Sequence, residues 1–72
     1  MKLTLLAKDE SSGRDGCQAV YLTEDGRFGV QGDVVDDDTH AALENLLPGE
    51  GGVFIKPEIV IEAVRRYQER LA

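Results

Sequence analysis

Apolar and polar positions alternate in short runs through the first half of the chain and recur at helical spacing near its end. Residues 2–8 predict a strand, with Leu3 and Leu5 on one face and Thr4 and Leu6 on the other. The polar, glycine-containing stretch Ser11-Ser12-Gly13-Arg14-Asp15-Gly16 predicts a loop. Residues 17–23 and 27–32 then predict a hairpin about Glu24-Asp25-Gly26. A two-residue Asp-Gly turn would set Leu22 against Gly29 and mix apolar with polar on one face. A three-residue loop with Gly26 in the left-handed conformation sets Leu22 against Phe28 and Val20 against Val30, giving one apolar face. The second register is the expected one.

Asp36-Asp37-Asp38-Thr39 predicts the start of a short helix over 37–47, because aspartates accept hydrogen bonds from free backbone N–H groups and suit the positive end of a helix. Leu43, Leu46 and Leu47 form its apolar stripe, and Pro48-Gly49 stops it. A fourth short strand is expected over 52–56. Pro57 opens a last helix over 57–71, with Glu58 in the first turn and Arg65, Arg66 and Arg70 towards the end. Val60, Val64, Tyr67 and Leu71 make a central stripe that Ile59 and Ala63 widen on one side and Ile61 on the other. Such an arc spans about half the circumference, more than one core contact needs. Either the helix is deeply seated on the sheet, or its Ile59/Ala63 edge packs on a second subunit or partner. The expected architecture is one α+β domain: a small antiparallel sheet packed by two helices.

Charge sharpens this picture. The chain has 72 residues and a net charge of −6. Residues 33–52 carry Asp33, Asp36, Asp37, Asp38, Glu44 and Glu50 with no lysine or arginine, so the whole imbalance sits there. Such a segment repels a phosphate backbone and attracts a basic protein surface, so a protein partner is expected and direct nucleic-acid binding is not. Arg66, with Glu62 four residues before it, either belongs to a solvated salt-bridged face or meets acidic groups of a partner. A chain this short is marginal alone, and its single cysteine forms no internal disulfide, so a homodimer or a docked partner is expected. The first residues lack a signal-peptide pattern, no membrane-length apolar stretch follows, and a cytoplasmic location is expected.

Candidate chemistry is sparse. Gly49-Glu50-Gly51-Gly52 with Lys56 lacks the spacing of a phosphate-binding loop and leads into a strand. Leu47-Pro48-Gly49-Glu50-Gly51 departs from a helix–hairpin–helix hairpin at Glu50 and lacks the second helix. Asp36, Asp38 and His40 share no helix face, so neither a metal nor another cofactor is expected. Cys17 with His40 is the one conceivable nucleophile–base pair. It leaves a small enzyme or ligand carrier as the alternative to a non-catalytic binding module, with a structural subunit of a larger assembly as a third reading.

The succession Gly16-Cys17-Gln18-Ala19-Val20-Tyr21, Asp25-Gly26, Val30-Gln31-Gly32 and Pro48-Gly49-Glu50, leading to Val53, Ile55, Pro57 and Glu58, resembles small acidic actinobacterial proteins. These are similar to BldB-type developmental regulators and to small proteins encoded beside Xre-type helix-turn-helix transcription factors. The resemblance runs over roughly residues 11–64. It implies an accessory protein that binds a DNA-binding regulator, or itself, without touching DNA, and it designates no catalytic residue.

Overall fold

The structure, a computed structural model, describes residues 1–11 and 18–71. Strands β1 (Leu3–Lys8), β2 (Ala19–Thr23) and β3 (Phe28–Gln31) form an antiparallel sheet in the order β1-β2-β3. Helix α2 (Pro57–Leu71) packs on it, making a small α+β fold. The expected hairpin register holds: Leu22 faces Phe28 and Val20 faces Val30. Gly26 takes φ 85°, its N–H donates to the Thr23 carbonyl, and the Thr23 N–H donates to the Arg27 carbonyl at 2.8 Å. That pattern is a turn closed by a left-handed glycine, which lets one apolar side of the hairpin face the helix.

β1 departs from simple alternation. Its pairing with β2 slips between Leu5 and Ala7, leaving Leu6 as the extra residue of a bulge. The slip brings both Leu6 and Ala7 into the core beside Val20, Ile59 and Ala63, with Leu22, Ile55, Val60 and Tyr67 packed around them. Tyr67 also meets Phe28 edge-on, with ring centroids 5.2 Å apart.

Two expectations are corrected. The strand expected over 52–56 is β5 (Val53–Phe54), and it pairs with β4 (Asp33–Val34) in a separate two-stranded sheet. Gly32 makes this possible, since a Cβ there would lie 2.3 Å from the Phe54 carbonyl oxygen. After Phe54 the chain turns towards β2 and β1. The Lys56 N–H donates to Gln18 Oε1 at 2.8 Å and its ammonium pairs with Asp9 at 2.9 Å. The helix expected over 37–47 is α1 (Asp37–Ala42) and ends at an extended Leu43. No α1 residue is buried, so nothing tertiary supports a longer helix. Asn45 then adopts φ 56°, and a turn over Pro48-Gly49 closes with the Glu50 N–H on the Leu47 carbonyl.

Candidate protein-docking surfaces

The acidic segment is built on β4, α1 and the loops that flank them. Asp33 lies exposed in β4. Asp36 is the N-cap of α1, accepting from the Thr39 N–H at 2.7 Å, as its sequence position predicts. Hydrogen bonding from Thr39 holds its carboxyl below the usual aspartate range. Asp37 and Asp38 follow in the first turn, exposed. Glu50 accepts from the Leu47 N–H at 3.0 Å, bracing the turn. Glu44 is exposed.

Four of the acids elsewhere in the fold are paired, while Glu10, Glu24 and Glu58 join no ion pair among the described residues. Asp25 pairs with Arg27, Asp9 with Lys56, Glu62 with Arg65 and Arg66, and Glu69 with Arg65. The ordered contacts hold Asp9 at about 2, through the Ser11 hydroxyl first and Lys56 next. Asp25 lies at about 2 through Arg27 and then Thr23, and Glu62 at about 2 through Arg65 and Arg66. Among the described residues, none of Asp33, Asp36, Asp37, Asp38, Glu44 and Glu50 joins an ion pair. Among the described residues, no cation neutralises the segment's charge.

The Ile59/Ala63 edge of α2 does not face outward. Ile59 is 5% exposed and Ala63 fully buried, both packed against Leu6, Ala7 and Val20, so the helix takes the deeply seated orientation there. Arg66 is likewise engaged inside the chain. It pairs with Glu62 at 2.9 Å, and its guanidinium donates to the Leu6 carbonyl at the β1 bulge, 3.1 Å away. This tether draws the charged flank of α2 over β1 and turns the opposite apolar flank outward. Ile61 and Leu71 are each 69% exposed and Val64 is 37% exposed. In β3, Phe28 and Val30 point to the helix side yet are 40% and 45% exposed, because α2 lies chiefly over β1 and β2. The width of the apolar arc signalled an unspent flank. The burial of Ile59 and Ala63, together with the Arg66 tether, says which one.

Beside β1 and the start of α2 lies a cleft of about 400 Å³, with Lys8, Asp9, Ser11, Glu58, Glu62 and Arg66 on its walls. Glu62 pairs there with Arg66, and Asp9 with Lys56. No buried side-chain polar atom among the described residues lacks a partner. His40 lies exposed on α1, while Cys17 falls outside the described residues, as does most of the polar loop before it. Among the described residues no group of three His, Cys, Asp or Glu side chains could hold a metal ion. No described helix is long and apolar enough to cross a membrane.

What the described residues define is a small α+β fold with an acidic segment that none of them pairs and an exposed apolar flank. Comparison with protein-family models, curated proteins and solved structures found no match to this chain.

Proposed function

We propose that this chain is a non-catalytic accessory module that binds a basic protein through its acidic segment, Asp33 to Gly52. The observation that carries the reading is the contrast in charge pairing. Among the described residues, four of the seven acids outside the segment are matched with lysine or arginine, and none of the six within it is. A concentrated negative surface steers and orients a positive partner, and it disfavours a phosphate backbone. The resemblance to proteins encoded beside helix-turn-helix factors supports a regulator of that kind as the partner. Its DNA-facing surface is basic by necessity.

The test is a titration of the nearest-encoded helix-turn-helix regulator with two variants of equal net charge. One carries Asp37→Asn, Asp38→Asn and Glu44→Gln; the other carries Glu10→Gln, Glu24→Gln and Glu58→Gln. The first should weaken binding at least about tenfold and the second only slightly, since charge at the contact outweighs remote charge. Equal losses, or no binding by the unmodified chain, would sink the reading.

A further inference from the structure

The chain exposes more surface than a monomer of its size. Its accessible area is 5611 Å² at a mass of 7.9 kDa, where a compact monomer of that mass exposes about 4,400 Å². Its radius of gyration is 13.5 Å, against about 11 Å for a compact chain of this length. The difference in area, about 1,200 Å², is more than the roughly 800 Å² that one partner contributes to a typical stable interface.

Among the described residues no strand pairs with the outer edge of β3, and that edge shows where such an interface fits. β3 lies at the edge of its sheet. The Thr23–Arg27 bond that closes the hairpin fixes which residues bond inward. Pairs alternate along an antiparallel ladder, so Arg27 and Gly29 turn their backbone groups to β2. Phe28 and Val30 turn theirs to the open edge, and their side chains stand half-exposed on the helix side. An open edge strand with an apolar face is a template for another strand.

We propose that the occupant is a second copy of this chain, paired antiparallel along β3 about a two-fold axis at Val30. In that register Val30 faces its own counterpart and Phe28 faces Gly32. Arg27 of one copy faces Asp33 of the other, an opposite-charge pair made twice by symmetry. The backbone groups that point outward from Phe28 and Val30 are the ones this register bonds. Six strands then form one sheet. The two copies' Phe28 and Val30 make a continuous apolar floor, each Phe28 meeting Tyr67 of its own helix. No residue from Phe28 to Gly32 is charged, so the net charge of −6 does not oppose the contact at its centre. The pairing draws on Asp33 alone among the segment's acids, so it stands or falls separately from the binding of a basic partner.

Sedimentation of the full chain from about 1 to 100 μM tests the proposal, with circular dichroism reporting the fold. The unmodified chain should sediment as a dimer. Val30→Pro removes an outward N–H without touching the ladder to β2, and should give a folded monomer. Should it fail to fold, Val30→Lys decides instead: like charges on the two-fold axis should dissociate the dimer by more than about tenfold. Arg27→Asp and Asp33→Arg should each weaken association about tenfold, and the double reversal should restore it. A monomer across the range overturns the proposal, and so does a dimer indifferent to Val30→Lys. Reversals that fail to rescue one another overturn the register.

Discussion

Gly26 and Gly32 meet two different physical demands. At Gly26 the backbone is left-handed and nothing crowds the missing side chain, so Gly26→Ala should cost about 1 kcal/mol from backbone strain alone. At Gly32 the backbone is ordinary but the Phe54 carbonyl stands where a Cβ would go. Gly32→Ala should cost about 1–3 kcal/mol and release the β4–β5 pairing, with Gly26→Ala leaving it intact. Urea unfolding followed by amide exchange at Val34 and Val53 separates the two. Carboxylates supply a second residue-scale expectation. Asp9, Asp25 and Glu62 are more acidic in the fold, at about 2, than their ordinary values of 3.8 and 4.5. The unfolded chain then takes up protons first, so the stability they lend is full above about pH 4.5 and is lost as pH falls towards 2. Melting temperature should decline through that window and stay level above it. Glu62→Gln should flatten part of the decline.

At the scale of elements, α2 shows what periodicity conveys and where it stops. Its span follows from Pro57, Glu58 and the spacing of Ile59, Ala63 and Tyr67, and the structure keeps the expected range of 57–71. The direction it faces does not follow, because an apolar arc of half the circumference admits several rotations. Burial of Ile59 and Ala63 against Leu6, Ala7 and Val20 chooses among them, and a bond between Arg66 and the Leu6 carbonyl, 60 residues away in sequence, fits the same rotation. Ile59→Ala should therefore cost about 2–4 kcal/mol in chemical unfolding, and Ile61→Ala less than about 0.5 kcal/mol. The opposite ranking would return the Ile59/Ala63 edge to the surface. The hairpin's register was legible, because it follows from one glycine and facing apolar pairs. The length of α1 was not. Leu43, Leu46 and Leu47 read as a stripe, yet a helix needs a surface to pack on, and the sheet lies under α2 instead.

Across the whole molecule, buried apolar residues gather at one place, and unpaired negative charge occupies another. The concentration of acids between Asp33 and Glu50 was legible from counting alone. Its lack of partners among the described residues was not, since that depends on Lys56, Arg65 and Arg66 finding Asp9, Glu62 and Glu69 in the folded chain. Such a division suits a module that keeps its fold together with one set of charges and meets a partner with another. Amide chemical-shift mapping of the labelled chain, titrated with the nearest-encoded helix-turn-helix regulator at low and moderate salt, tests that division directly. Perturbations should concentrate between Asp33 and Glu50 and lessen as salt rises. Perturbations centred on the cleft beside β1 and Arg66, or none at all, would contradict that division.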